Sequence, residues 1–337
     1  MTLIYFILIL GITIFVHELG HFIFAKKAKI HCYEFSLGMG PRIFKFNRKN
    51  DETDYCLRLF PIGGYVSMAG EQVEVDKSVP EEGQMINKTW TQKFLTIVAG
   101  VMFNFIFAII LLFIIGLING TPTNKPIVGD VVSKSPADIS GLKSGDLITK
   151  INGKKVYSVD RFLLEMQVSN SKSLTLEVNN NKTIKISPDK NKNYTYGFAM
   201  DGTKERGIIP AIKYAFTKFF GLIGQMALIL WFLITGTLSL SNLSGPVGIY
   251  SIVGESAAAG FINLVYLTAL LCINVGFLNF LPIPAFDGGR LLFLIIEKFK
   301  GSPVNPKVEN IIHSIGFILL MILMVAVTYN DIVRLIK

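Results

Sequence analysis

The first long apolar run of the chain, residues 3–25, contains ionisable side chains that a membrane helix rarely carries. The run is long enough to cross a bilayer, yet it includes an H-E-x-x-H sequence that begins at His17. Residues four apart lie on one face of a helix, so His17 and His21 can bind the same metal ion. Glu18 can then act as general base on a water molecule at that metal. The alternative is a polar pair that reaches the lipid surface from a helix end, but ionisable groups in a membrane are costly without a function.

The composition places much of the remaining chain in a membrane. Hydrophobic residues make up 51% of the 337 positions, and the mean hydropathy is +0.49, which is too apolar for an ordinary soluble domain. The net charge of +9 is interpreted as a sign of topology and of contact with anionic lipid. No basic patch with interleaved aromatic residues indicates nucleic-acid binding. The three cysteines do not predict a disulfide framework or a C-x-x-C metal site.

About four transmembrane helices are expected. The predicted spans are residues 3–25, 94–118, 261–281 and 311–328. Lysines directly after the first span place that end in the cytoplasm and the N-terminus outside. Residues 208–240 are also apolar, but a fifth crossing would put Asp287 and the histidines on opposite faces of the membrane. This segment is therefore predicted to lie on the outer surface as an amphipathic helix.

Residues 30–93 form a polar connection between the first two spans, and its first part, residues 30–70, contains two Gly-rich pieces. The alternation of residues 55–60, followed by turn residues, predicts a short β-hairpin region beside the membrane. An open strand edge in this region can pair with an extended substrate. Candidate substrate contacts are Leu57, Leu59, Gly63 and Gly64. The alternative is a plain loop with turns.

A second polar cluster, N-x-x-P-x-P-x-x-D-G, begins at Asn279 in the third span. Pro282 and Pro284 break the helix, which is tolerated at membrane depth where the backbone lines a cavity. Both prolines are candidate substrate contacts. Asp287 can supply an oxygen ligand to the metal, and Asn279 can hydrogen-bond a substrate carbonyl or its oxyanion. The alternative role for Asp287 is an N-cap of the following helix.

Two other polar residues in the apolar runs are interpreted as structural. Asn104, in the second span, is either a helix-packing hydrogen bond or a site contact, and packing is favoured. His313, in the last span, has no partner at ligand spacing and is interpreted as a helix-end residue.

Residues 121–200 differ from the rest because they are polar, with short β-branched runs separated by turns. The stretch G-L-x-x-G-D-x-I from Gly141 to Ile148, together with its flanking turns, resembles a bacterial PDZ domain. That resemblance implies a small β-rich module with a groove for chain ends or extended segments. The predicted topology places it outside the cytoplasm. Its alternative role is a spacer or size filter that binds nothing tightly.

The H-E-x-x-H span, the PDZ-like insert and the N-x-x-P-x-P-x-x-D-G cluster together resemble the site-2 protease family of intramembrane zinc metalloproteases. The resemblance covers nearly the whole chain, and it is to the bacterial branch that degrades anti-sigma factors and remnant signal peptides. Some members carry two tandem PDZ domains, whereas this chain has room for one. The resemblance implies one Zn²⁺ per chain, with His17, His21 and Asp287 as ligands. It also implies Glu18 as general base and Asn279 as a substrate or oxyanion contact.

The expected fold is a polytopic α-helical membrane protein with membrane-associated β-hairpin segments and one inserted extracytoplasmic PDZ-like domain. The expected parts are residues 1–120 (first catalytic membrane part), 121–200 (PDZ-like domain), 201–260 (amphipathic interfacial helices) and 261–337 (second catalytic membrane part).

The expected function is an intramembrane zinc endopeptidase that cleaves transmembrane segments of single-span proteins in regulated intramembrane proteolysis. It would act in the bacterial cytoplasmic membrane, with its active site near the cytoplasmic face. Expected partners are transmembrane substrates, membrane lipid and a peptide ligand of the PDZ-like domain, but no nucleic acid. The alternatives are a zinc transporter and a non-catalytic PDZ scaffold, neither of which needs a carboxylate beside the first histidine.

Overall fold

The computed structural model describes residues 1–49, 51–71, 77–122, 124–169, 173–179, 182–189, 195–202, 204–238, 243–302 and 304–336. Some predicted features fall partly outside the described residues. They are the acidic connection at 72–76, parts of the PDZ-like region around 170–172, 180–181 and 190–194, and the end of the amphipathic segment at 239–240. The side chains of residues 60–62 are also outside the description.

Helices dominate the described chain. They are α1 (Thr2–Lys27), α2 (Trp90–Asn119), α3 (Pro136–Ile139), α4 (Val159–Val168), α5 (Ile208–Ile234), α6 (Pro246–Ala258), α7 (Phe261–Phe280), α8 (Asp287–Lys300) and α9 (Pro306–Ile336). Within the described ranges, five of them are long and apolar enough to cross a membrane, namely α1, α2, α5, α7 and α9. The four predicted spans all lie in these helices. The fifth candidate is α5, for which the sequence predicts an interfacial position.

The predicted β-hairpin region between α1 and α2 is present as β1 (Cys32–Asn47) and β2 (Asp54–Met68). The two strands pair antiparallel with several bulges, and residues 34–37 have partners both in 54–57 and in 64–67. Gly38, Gly40 and Gly63 have positive φ angles of 91°, 84° and 100°, which side chains with a Cβ rarely adopt. These glycines allow β1 and β2 to bend so that each contributes more than one pairing segment.

The chain divides into two compact units, residues 1–111 with 232–337, and residues 112–231. In the first unit, a buried stripe runs along α1 at helical spacing and includes both histidines of the motif. Its members are Phe6, Ile9, Thr13, His17, Gly20, His21 and Ala25. The start of the stripe packs against Val253 of α6 and against Leu264 and Leu267 of α7. Its end packs in a second core with Ile97 of α2 and Leu291 of α8.

The second unit builds its own core from the polar, β-rich stretch of the sequence. Its remaining strands are β3 (Thr121–Pro122), β4 (Val128–Val131), β5 (Ile148–Ile151), β6 (Lys154–Lys155), β7 (Leu174–Val178), β8 (Lys182–Ile186), β9 (Phe198–Met200) and β10 (Lys204–Glu205). A four-stranded sheet has the order β6-β5-β7-β8, β4 pairs with β9, and β3 pairs with β10. Phe162 of α4 packs into the core of this sheet with Ile148, Leu174 and Leu176.

Most of α5 belongs to this second unit, whereas the sequence predicts a boundary between residues 200 and 201. An ion pair joins the Nζ atom of Lys218 on α5 to the Oδ1 atom of Asp160 on α4 at 2.5 Å. Both side chains are 17% exposed, so the pair lies within the packed unit. This contact ties α5 to the β-rich unit.

Candidate metal centre and active site

The two histidines of α1 point into the first unit from the same side of the helix. Both are buried, at 7% and 8% exposure, and their Nε2 atoms are 3.2 Å apart. The spacing of four residues brings the two rings together on one face of the helix, with their centroids 4.8 Å apart and their planes at 82°. The pair therefore presents two nitrogen ligands at one point.

Asp287 completes this cluster from a distant part of the chain. Its Oδ2 atom lies 3.0 Å from Nε2 of His17 and 3.3 Å from Nε2 of His21. The residue that caps α8 is Phe286, without a side-chain hydrogen bond, and Asp287 is the first residue of the helix. The carboxylate therefore faces the histidines and does not act as the N-cap.

Two glycines after Asp287 make this placement possible. A Cβ atom at Gly288 would lie 2.1 Å from the backbone oxygen of Leu281, and one at Gly289 would lie 2.6 Å from that of Ile283. No side chain fits at such distances, so α8 can pack against the preceding loop only with glycine at these positions. The D-G-G sequence thus allows a tight turn that carries the carboxylate back to α1.

The hydrogen bonds around the cluster indicate that at least two of its three converging atoms are acceptors. His21 places Nδ1 2.8 Å from the backbone oxygen of Thr96, so Nδ1 carries the proton and Nε2 keeps its lone pair. The buried Oδ2 atom of Asp287 has no hydrogen-bond partner among the described residues. Acceptors that converge in a buried site repel one another unless a cation lies between them.

The donor set and its spacing fit a zinc ion. The three ligand atoms all lie within 4.8 Å of one another. Zinc binds imidazole nitrogen and carboxylate oxygen at about 2.0–2.2 Å, so atoms that share one ion lie about 3.3 Å apart, close to the separations of His17, His21 and Asp287. Three protein ligands leave a position for water or substrate, which is the pattern of a catalytic site.

Helices α1 and α2 approach each other closely at this cluster, because each has a glycine at the contact. A Cβ atom at Gly20 of α1 would lie 2.4 Å from the backbone oxygen of Ala99 on α2. A Cβ atom at Gly100 would lie 2.3 Å from Nε2 of His21 and 2.8 Å from Cε1 of His17. One helical turn further along α2, Asn104 is fully buried, with Nδ2 3.4 Å from Nδ1 of His17. Asn104 therefore contacts the site, which the sequence analysis treats as the less favoured of two roles.

Glu18 faces a cavity of about 1110 Å³ that the histidines and Asp287 also line. The wall next to Glu18 is the last part of β2. A Cβ atom added at Gly64 would lie 3.4 Å from Cγ of Glu18, and Tyr65, Val66 and Met68 line the cavity. The carboxylate, the candidate metal ligands and a strand edge thus border one open volume.

The predicted substrate contacts occupy different positions around this volume. Gly64 lies against Glu18, and Gly63 lies under the side chain of Met39. Leu57 and Leu59 are 40% and 50% exposed and belong to the first half of β2, away from the described lining of the cavity.

The predicted contacts in and before the proline loop also differ in their surroundings. Pro282 is exposed, whereas Pro284 packs so closely on α9 that a Cβ atom at Gly316 would lie 2.5 Å from it. Asn279 is half-buried near the end of α7, and it is not among the described residues that line the cavity.

His313 supports the loop that carries Asp287. Its Nδ1 atom accepts a hydrogen bond of 3.1 Å from the backbone N–H of Ala285, whose φ angle is +86°. The histidine lies within α9 rather than at its end, and it is not part of the metal cluster. The spacing of histidines along the sequence carries no signal for such a contact.

An ion pair links the loop after β2 to α8 at the edge of the cavity. Glu71 pairs with Arg290, three residues after Asp287, and both line the cavity. Burial acts to lower the pKa of Arg290, but the carboxylates of Glu71 and Asp287 outweigh it and raise that pKa. The guanidinium is therefore charged and ties the end of β2 to the helix that begins at Asp287.

The chain is similar to known proteins over nearly its whole length. Residues 5–323 match the family model of peptidase family M50. The chain belongs to peptidase family M50. The regulator of sigma-W protease RasP from Bacillus subtilis (strain 168) is 34% identical over 418 aligned residues, covering 99% of each chain. Zinc metalloprotease RasP from Shouchella clausii is 32% identical over 420 aligned residues, again covering 99% of each chain.

The M50 chain is therefore a zinc metalloprotease of the membrane, as its sequence predicts. Its several apolar helices make it a multi-pass membrane protein. The transporter and scaffold alternatives are not favoured, since the family and the similar proteins are zinc proteases. The alignments run over more positions than the 337 residues of this chain, so they include gaps on its side.

Proposed function

We propose that this M50 protease hydrolyses peptide bonds within transmembrane segments of single-span proteins, with His17, His21 and Asp287 as the ligands of one zinc ion. The observation that carries the proposal is the convergence of these three candidate ligand atoms beside Glu18 at the wall of one cavity. Zinc at this point would polarise the substrate carbonyl and lower the pKa of a water molecule.

The proposed role of Glu18 is proton transfer. From the cavity wall beside His17, its carboxylate accepts a proton from the attacking water and returns it to the nitrogen of the cleaved bond. An amide donor can stabilise the negative charge that develops on the carbonyl oxygen. We assign this role to Asn279, which the sequence motif places eight residues before Asp287.

A transmembrane helix must unwind before its carbonyl groups can react, because they are engaged in its own hydrogen bonds. The proposed acceptor for the unwound segment is the part of β2 that contains Gly64. Residues 64–67 have partners in β1 on one side, and Gly64 lies against Glu18 on α1. A strand added at this edge would place its backbone beside the general base.

The arrangement of α1, α2 and α7 supports four crossings of the membrane. The starts of α1 and α7 pack together through Phe6 and Leu264, and both helices lead toward the metal cluster at their ends. They therefore run parallel. In α2, Thr96 contacts His21 and Asn104 contacts His17, so α2 runs in the opposite direction. If α1 runs from the outside to the cytoplasmic side, α2 runs back to the outside. Because α7 is parallel to α1, it also starts on the outside. The segments between α2 and α7 then make no net crossing of the membrane.

The two faces of α5 support an interfacial position for this helix. On one face Lys218 pairs with Asp160, and Gly221 and Gln225 line a small pocket with residues of α4. A helix whose middle packs against a polar domain is not surrounded by lipid. The opposite face carries exposed apolar residues at helical spacing, namely Ile209, Ile212, Phe216, Phe220 and Trp231. Such a helix lies in the membrane surface with its apolar face toward the lipid chains.

In this proposal the active site lies near the cytoplasmic face of the bacterial cytoplasmic membrane, and the β-rich unit lies outside as a PDZ-like domain. Single-cysteine variants at Lys204 and Thr237, near the two ends of α5, test the topology. An impermeant maleimide added outside should label both. Labelling of position 237 only from the cytoplasmic side would require α5 to cross.

Substrates of the anti-sigma type are proposed because a similar protein is named a regulator of sigma-W protease. Remnant signal peptides are a further proposed substrate, since they are also short apolar helices. The groove of the PDZ-like domain is proposed to bind a chain end or an extended segment.

The proposed function is tested by cleavage of a single-span model substrate by the purified protein in detergent. Glu18→Gln should keep one bound zinc but lose about 10²–10⁴-fold in rate, because proton transfer supplies a factor of that size. The matched control is Glu255→Gln on the exposed side of α6, which should cleave at the wild-type rate. A chelator should abolish cleavage and zinc should restore it.

Three outcomes would contradict the proposal. Cleavage that survives Glu18→Gln would exclude the assigned base. Zinc that remains bound after His17→Ala would exclude the assigned metal site. Zinc flux into vesicles by Glu18→Gln protein would favour a transporter.

A further inference from the structure

Both metal-binding histidines need an outward partner on the ring nitrogen that does not face the metal. A histidine that binds through Nε2 carries its proton on Nδ1, and an acceptor at Nδ1 fixes both the tautomer and the ring orientation. His21 has such an acceptor in the backbone oxygen of Thr96 at 2.8 Å. The group that faces Nδ1 of His17 is the side-chain amide of Asn104, at 3.4 Å.

The amide of Asn104 can serve either tautomer of His17. With its nitrogen toward the ring, it donates to Nδ1, and the proton of His17 then lies on Nε2, 3.0 Å from Oδ2 of Asp287. With its oxygen toward the ring, it accepts from Nδ1–H, and Nε2 is free to bind metal. A rotation of 180° about the Cβ–Cγ bond interchanges the two states.

The surroundings of Asn104 supply a reason for the second state. The side chain is fully buried, and its Oδ1 atom has no hydrogen-bond partner among the described residues. A buried carbonyl oxygen without a partner costs about 1–3 kcal/mol. Turning Oδ1 toward Nδ1–H of His17 would provide that partner in exchange for the present contact of Nδ2, and it would leave the histidine in the tautomer that metal binding requires.

We propose that Asn104 is a positioning residue of the metal site, which accepts Nδ1–H of His17 when zinc is bound and so raises zinc affinity. The proposal rests on His17, His21 and Asp287 as the zinc ligands. It makes α2 the orienting helix for both histidines. The contacts come from Thr96, Gly100 and Asn104, which are four residues apart and lie on one face of α2.

The test is zinc affinity, measured by competition with a chromophoric chelator in detergent. Asn104→Leu keeps the volume but has no acceptor, and it should weaken zinc binding by about 10–100-fold, the usual effect of losing an outer partner of a ligand histidine. Asn104→Asp keeps an oxygen toward the ring in either protonation state. It should bind zinc at least as tightly as the wild type.

The ranking of the two variants by zinc affinity distinguishes a positioning role of Asn104 from a packing role. If Asn104 only packed, a carboxylate at this fully buried position would disturb the interface more than leucine would, and the order would be reversed. The matched control is Thr13→Val, which removes another fully buried polar group of a membrane helix, with hydrogen bonds to Ile9 and Cys272 rather than to the metal ligands. It should not change zinc affinity.

Failure of the proposal is distinct from failure of the proposed metal site. If wild-type protein binds one zinc that His17→Ala removes, and Asn104→Leu binds it equally well, then Asn104 has no positioning role. If His17→Ala does not affect zinc binding, the metal site itself is wrong. The absorption spectrum of the cobalt-substituted protein gives a second readout, because it reports ligand geometry independently of cleavage.

Discussion

Replacement of Gly100 by alanine is expected to remove zinc binding while leaving the helix intact. The added Cβ atom would lie 2.3 Å from Nε2 of His21 and 2.8 Å from Cε1 of His17, whereas ordinary contacts begin at 3.4 Å. The ring of His21 would have to move by about 1 Å. Its Nδ1 atom is held 2.8 Å from the backbone oxygen of Thr96, so this movement would break the bond that orients the ring.

The size of the effect follows from the tolerance of metal sites. Ligand distances in such sites stay within about 0.2 Å of their usual values, so a shift of about 1 Å removes a ligand. The loss of orientation alone lowers metal affinity by about 10–100-fold, and displacement of His21 adds to it. We therefore expect zinc affinity to fall at least about 100-fold, which corresponds to about 2.7 kcal/mol.

The helix itself should tolerate the change, because alanine is a better helix former than glycine by about 1 kcal/mol. The assay is zinc competition together with thermal unfolding of the zinc-free protein. Gly224→Ala is the matched control, since nothing lies within 4 Å of its added Cβ atom. A Gly100→Ala protein that binds zinc with wild-type affinity would refute the assigned contact between α2 and the histidines.

Two further substitutions test the strand edge and the end of α9. Gly64→Ala places a Cβ atom 2.8 Å from a backbone oxygen of β1 and 3.4 Å from Cγ of Glu18. The displacement of β2 should lower the cleavage rate about tenfold and leave zinc affinity unchanged. Loss of zinc binding, or an unchanged cleavage rate, would contradict this role. Asp331→Ala removes the buried carboxylate that accepts the backbone N–H groups of Gly245 and Gly248 at 2.8 Å each. The free energy of unfolding should fall by about 3 kcal/mol, visible as a lower Tm, and an unchanged Tm would exclude the contact.

Helix α5 shows the limits of sequence periodicity as a guide to membrane topology. Its apolar content alone qualifies it as a candidate span. The sequence nevertheless favours an interfacial helix, because Asp287 must reach the side of the membrane where the histidines lie. The pair of Lys218 with Asp160 supports this argument, but no sequence rule predicts which domain the polar face of α5 contacts.

The role of Asn104 is decided by tertiary structure alone. In the sequence, Thr96, Gly100 and Asn104 are four residues apart and share one face of α2, but this spacing does not indicate which segment that face contacts. The sequence alone therefore favours a packing role for Asn104. The contact with His17 depends on the close approach of α1 and α2 at Gly20 and Gly100, which involves residues far apart in the chain.

What the sequence determines by itself is local chemistry. Helix geometry places His17 and His21 on one face, and the prolines and paired glycines around Asp287 predict a broken helix with a sharp turn. These features depend on neighbours within a few residues, so they can be derived from spacing. The meeting of Asp287 with the histidines, the position of Gly64 beside Glu18, and the partner of His17 were decided only by the packing of α2, α8 and β2 around α1, because contacts between distant segments depend on how whole surfaces fit together.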